Sequence, residues 1–308
     1  MATSNPIDDL SPEEIHIEAI EGFHLGGTRY SASFELSDHD GEYFRSFLLD
    51  VDFGETLTFT IRKQIENTIM SHASLAADRH VVLQIGGRMH DLTPGGDSIT
   101  LLPDGVLRRL YHIDGGPQYV VGDGGVCYLR EGAAWEQVPT ANGLALRDIH
   151  GPTPDLIHAC GNGGTLLRLR GRAWEQVELP DQRPFTTLEV ANEGLIHIGG
   201  PDGLALALRD GELVELAAPA RDFFSIRSFK GHRYWSDANW GLNIQDGDSV
   251  VPFRELRYAF YMHTSPERLV ISGWKEIFVF DGSEWSGFQL GYDGNIFLSR
   301  LDMTEYGG

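Results

Sequence analysis

The chain has 308 residues, with 45 acidic against 24 basic side chains and a formal net charge of −21. A field of that sign repels nucleic acid and anionic membrane surfaces and steers basic partners inward. A hydrophobic content of 41% excludes a wholly disordered chain, and no run of 18 apolar residues is present to form a membrane-spanning helix.

Residues 1–58 hold 13 of the acidic residues against Arg29 and Arg45 alone. The opening MATSNPIDDLSPEEI lacks the basic and apolar regions of a secretory signal, so a cytoplasmic protein is expected. Residues 1–12 read as a polar, mobile lead-in. Strand-like runs follow at Glu14–Ile20, Thr28–Leu36 and Tyr43–Phe53, and Tyr30, Ala32, Phe34 and Leu36 alternate as a half-buried strand requires. Asp38, Asp40 and Glu42 open like a calcium loop, but the distal glutamate of such a loop is missing, so the segment reads as an acidic hairpin turn. Ile61, Ile65 and Ile69 then recur at every fourth position among polar residues. That spacing predicts one amphipathic helix over Thr58–Leu75.

From His80 the chain repeats itself. GDGGVCYLREGAAWEQV (Gly122 to Val138) is answered by GNGGTLLRLRGRAWEQV (Gly161 to Val177), an offset of 39 residues. A second glycine turn runs through six units, at Gly96, Gly132, Gly171, Gly211, Gly247 and Gly282. Three of these are Asp-Gly, the dipeptide of tight hairpins. Several short strands per unit of roughly 38 residues describe a propeller blade. The expected fold is all-β: residues 79–308 form a six-bladed propeller, and residues 1–78 form a small acidic segment of three strands and one helix. Asn295–Asp302 would close the ring by completing the blade of His80–Pro103. If the strands of residues 14–53 join the ring, the blades number seven.

The Gly-x-Gly-Gly turns, each followed by an apolar strand and Gly-x-x-Trp, resemble bacterial propeller repeats of the photosystem assembly-factor and sialidase-like kind over residues 80–290. The resemblance implies architecture alone, since the Ser-x-Asp-x-Gly-x-x-Trp box of sialidases is missing and propellers host many functions. Only three lysines among 24 basic residues point to a GC-rich bacterial genome. Cys127 and Cys160 lie in apolar strands and read as buried, reduced thiols.

No catalytic or cofactor-binding fingerprint is present, and no cofactor or metal is expected. Aligned inner strands place Arg109, Arg147 and Arg227 on the channel, with Arg300 as a looser match. Such arginines either bind an anionic ligand or pair with acidic neighbours that fix adjacent blades. His112, His150 and His263 fall near the same strand end. Tyr234, Trp235 and Trp240 lie in the least regular unit and, with Tyr258, Phe260 and Tyr261, would rim a channel mouth. Tyr234, Trp235 and Trp240, together with Asp38, Asp40 and Glu42, are the candidate partner contacts. The expected function is non-catalytic: a cytoplasmic immunity protein or inhibitor that caps a basic toxin such as a nuclease. A hydrolase or lyase acting on an anionic substrate in the channel is the alternative, and an assembly scaffold the third reading.

Overall fold

The computed structural model describes residues 5–103, 105–140 and 143–307. Period-two alternation and glycine turns build seven consecutive antiparallel sheets among these residues. Blade 1, for example, runs through Ile15–His24, Arg29–Asp38, Phe44–Phe53 and Leu57–Ile65, in that order from the axis outward. The inner strands of blades 2 to 7 are Ile69–Ala76, Leu107–His112, Leu146–His150, Thr187–Asn192, Phe223–Phe229 and Met262–Thr264, each packed against the next around a closed ring. All inner strands run the same way. We call the end where they begin the upper mouth and the end where they finish the lower mouth. At the Asp210-Gly211 hairpin both residues hold positive φ, 49° and 88°, the conformation this dipeptide tolerates.

Three expectations require correction. The propeller has seven blades, because the three N-terminal strands join the ring as blade 1 together with Leu57–Ile65. The expected helix is two strands, Leu57–Ile65 and Ile69–Ala76, in different blades, and no α-helix occurs among the described residues. A spacing of four is also a multiple of two, so Ile61, Ile65 and Ile69 fit a strand pair as well as a helix face; the β-branched and aromatic run Thr58-Phe59-Thr60-Ile61 favours the strand. Third, Ile296–Arg300 does not reach blade 2, which has its own inner strand, but folds back as a fifth strand on Trp285–Tyr292 of blade 7.

The ring therefore closes through side chains where blade 7 meets blade 1. Tyr30, Phe34 and Val51 of blade 1 share one buried cluster with Val270, Ile277, Val279 and Phe288 of blade 7. The Ala19 N–H donates across the seam to the Trp274 carbonyl at 2.6 Å. Arg300 donates to the Gly54 carbonyl and lies over the Phe53 ring, 4.4 Å from its centroid. The approach is close enough at Gly22 that a Cβ there would meet Val270 at 3.0 Å and Ile277 at 3.1 Å. The lead-in, too, is anchored where the structure describes it. Asn5 caps the short turn Pro6–Asp9, Ile7 is fully buried in the seam cluster, and Asp8 pairs with Arg45. Residues 1–4 of the expected mobile stretch lie outside the described residues.

Candidate functional site along the propeller axis

Four inner strands send a polar side chain, at an equivalent position, onto a backbone N–H of the next blade. Glu21 of blade 1 accepts the His72 N–H of blade 2 at 2.6 Å, and Ser71 of blade 2 accepts the Leu110 N–H of blade 3 at 3.3 Å. Asp148 of blade 4 accepts the Leu188 N–H at 3.2 Å, and Ser225 of blade 6 accepts the Met262 N–H at 3.2 Å. The same register puts Arg109, Thr187 and Tyr261 at the corresponding positions of blades 3, 5 and 7. Seven polar side chains thus form a belt, in which Glu21, Ser71, Asp148 and Ser225 satisfy inter-blade backbone donors.

The belt is charged on one side. Glu21 is fully buried and accepts from Arg109 Nη1, from Ser71 Oγ at 2.9 Å and from His263 Nε2 at 3.3 Å. Arg109 also faces Asp148 at 3.5 Å, and its guanidinium lies 3.9 Å from the centroid of the Tyr261 ring. Thr187 Oγ1 donates to Asp148 Oδ2 at 2.9 Å. Burial opposes the Glu21 charge, yet the Arg109 cation and the His263 hydrogen bond outweigh it and hold the carboxyl at about 2. Burial keeps the neighbouring imidazoles neutral, with His72 held down at about 3 and His263 at about 4. This cluster plugs the axis and knits blades 1, 2, 3, 4, 5 and 7.

Above the plug, the upper mouth is aromatic and acidic. Phe224 meets Phe260 at 4.6 Å, Phe260 stacks on Tyr258 at 5.9 Å, and Tyr258 meets Trp274 edge-on at 5.2 Å. Trp274 is 46% exposed. Half-buried Glu18 lies beside Tyr258, and burial raises its pKa. The turn after Arg29–Asp38 opens on the same face, where Asp38 Oδ1 accepts the Glu42 and Tyr43 N–H groups while Asp40 and Glu42 are exposed. Trp240, half-buried, carries the Arg221 guanidinium 4.8 Å from its ring centroid.

Below the plug, the lower mouth opens as a cavity of about 430 Å³. Its walls include Phe23, Tyr111, His112, His150, Arg227 and His263. Burial holds His112 below the ordinary imidazole range and His150 well below it. No group of three His, Cys, Asp or Glu side chains is placed to hold a metal ion among the described residues.

The candidate residues scatter accordingly. Of the expected arginine ring, Arg109 is the paired centre of the plug and Arg227 lines the lower cavity. Arg147 instead donates to Asn162 Oδ1 at 3.1 Å, and its true repeat partner is Arg108, bonded to Asp123 at 2.6 Å. Bulges let Arg108 and Arg147 drop out of register, so Arg109 corresponds to Asp148 rather than to Arg147. Arg300 lies on the outermost strand, away from the channel. Tyr234 and Trp235, expected at a mouth, are core residues at 2% and 0% exposure, so neither presents a surface. Tyr258 and Phe260 do rim the upper mouth, with Trp274 and Phe224 beside them. Glu21 escaped the sequence reading because it sits in the segment thought to lie outside the ring. Asp148 was legible, since the 39-residue offset of the glycine turns carries Arg109 directly onto it.

No protein-family model matches this sequence, and no curated protein resembles it significantly. Solved structures do. The WD40 β-propeller domain of Doa1 superimposes with a TM-score of 0.70 at 9% identity, over 85% of this chain and 93% of that one. The computationally designed protein Ika8 gives 0.65 at 10% identity, over 94% and 98%. YCF48 bound to D1 peptide gives 0.61 at 13% identity, over 91% and 98%. The likeness is to β-propellers as an architecture.

Proposed function

We propose that the chain is a non-catalytic binding propeller that docks a basic segment of a partner protein on its upper mouth. The observation that carries this reading is the aromatic row from half-buried Phe224 to exposed Trp274, with Glu18 beside Tyr258 and the acidic turn Asp38–Glu42 on the same face. Aromatic faces and carboxylates together suit Arg and Lys side chains through cation–π contact and charge-assisted hydrogen bonds. The net charge of −21 adds long-range steering. YCF48 bound to D1 peptide lends general support, as a propeller of similar architecture that holds a peptide. The more specific form, an inhibitor that caps a basic toxin, belongs to the same reading, and so does an assembly scaffold.

Immobilised protein, offered native lysate at low and high salt and read by mass spectrometry, tests it. A stoichiometric basic partner retained by the native protein and lost from Trp274→Ala and Glu18→Gln is the expected result. No basic partner at either salt, or equal retention by both variants, would overturn the proposal.

A further inference from the structure

At the lower mouth, Arg227 has no carboxylate partner among the described residues. Three arginines are buried: Arg109, Arg130 and Arg227. Arg109 has Glu21 and Asp148, and Arg130 has Asp91 at 2.6 Å. Arg227 is 5% exposed, and no carboxylate lies within salt-bridge distance of it among the described residues. Its Nη1 donates to the Ile226 carbonyl at 2.6 Å and reaches the Leu188 carbonyl at 3.4 Å, which leaves Nε and Nη2 without a protein acceptor there. The acidic residue of the same layer, Glu189, is spent elsewhere: Ser228 N and Oγ and Arg233 Nε occupy its oxygens. The unpaired side of the guanidinium is turned to the lower cavity, where an anion from outside the chain could pair with it.

The cavity that Arg227 lines offers a second donor. His150 Nδ1 accepts the Val190 N–H at 3.1 Å, so the neutral ring carries its proton on Nε2. That N–H has no protein partner among the described residues, and His150 lines the same cavity. Phe23, Tyr111, Pro152 and Pro266 give the cavity apolar walls, and its volume of about 430 Å³ exceeds what an inorganic ion fills. We propose that this cavity binds a small organic monocarboxylate with an apolar body, paired by Arg227 and held by a second hydrogen bond from His150. A single cation suits a single negative charge. The fully exposed Asp114 side chain at the rim and Glu267 beside His24 disfavour a dianion such as phosphate. This inference is independent of the upper-mouth reading, and either can fail alone.

Calorimetric titration of the full chain with phenylacetate, phenylacetamide and inorganic phosphate tests it. The expected result is saturable one-to-one binding of phenylacetate, with no binding of the amide or of phosphate. Arg227→Met should weaken phenylacetate about tenfold or more, and His150→Phe by a smaller factor. Arg227→Lys keeps the charge without the fork and serves if the methionine variant does not fold; its affinity should fall between the two. Trp274→Ala should leave phenylacetate binding unchanged. No saturable phenylacetate binding, equal binding of the amide, tighter binding of phosphate, or unchanged affinity in the Arg227 variants would each overturn the proposal.

Discussion

Arg109 and Arg227 occupy inner strands of blades 3 and 6, are buried to 2% and 5% exposure, and meet opposite surroundings. Arg109 is enclosed by two carboxylates and an aromatic face, so its charge is answered within the fold and ties blades together. Arg227, one layer nearer the lower mouth, has only backbone carbonyls as partners among the described residues and opens onto a cavity. Similar burial of one residue type therefore supports two different roles, and the difference lies wholly in whether the opposite charge is built in. A compensated buried charge acts as structure, whereas an uncompensated one beside a cavity is a request for a ligand.

Breaking the compensated side should cost most. Glu21→Ala or Arg109→Met leaves its partner buried without full compensation, so each should destabilise the fold by about 3–5 kcal/mol in chemical denaturation. A loss below about 1 kcal/mol would mean that the plug is not what holds the inner strands.

Acid should attack the same plug from two directions. His72 and His263, held at about 3 and about 4 in the fold, regain an ordinary pKa of 6.5 when unfolded. The unfolded chain then binds more protons, so stability begins to fall as the pH drops below 6.5. The Glu21 carboxyl, at about 2 against 4.5, contributes stability that is present above pH 4.5 and lost between there and about 2. The expected outcome is a melting temperature that already declines between pH 7 and pH 5 and falls more steeply below. A flat melting temperature between pH 7 and pH 5 would contradict the assignment of neutral histidines.

A smaller effect of opposite sign belongs to blade 1. Burial and the neighbouring Glu18 raise Glu35 to about 7 against 4.5, so its ionisation costs stability progressively as pH rises above 4.5. Glu35→Gln should therefore stabilise the protein by about 1–2 kcal/mol at pH 8 and by nothing at pH 4. Denaturation curves at the two pH values check it. The smallest effect is expected at Arg227 itself. Because no carboxylate is orphaned, Arg227→Met should change the stability of the ligand-free protein by less than about 1 kcal/mol, in contrast to Arg109→Met.

The sequence by itself determined the blades from Gly122 onward, because a glycine turn, an apolar strand and a Trp-led strand at fixed offset leave few alternatives. It also determined the Asp-Gly hairpin positions and the buried, unpaired state of Cys127 and Cys160. It did not determine the blade count, since the spacing of Ile61, Ile65 and Ile69 suits both a helix and strands, and tertiary packing against neighbouring blades made the choice. Nor did local signals show which arginine is answered. Glu21 and Arg109 are 88 residues apart, and Glu21 and His263 are 242 apart. Only closure of the ring brings such distant side chains within hydrogen-bonding range, and only that closure turns Arg227 toward the lower cavity.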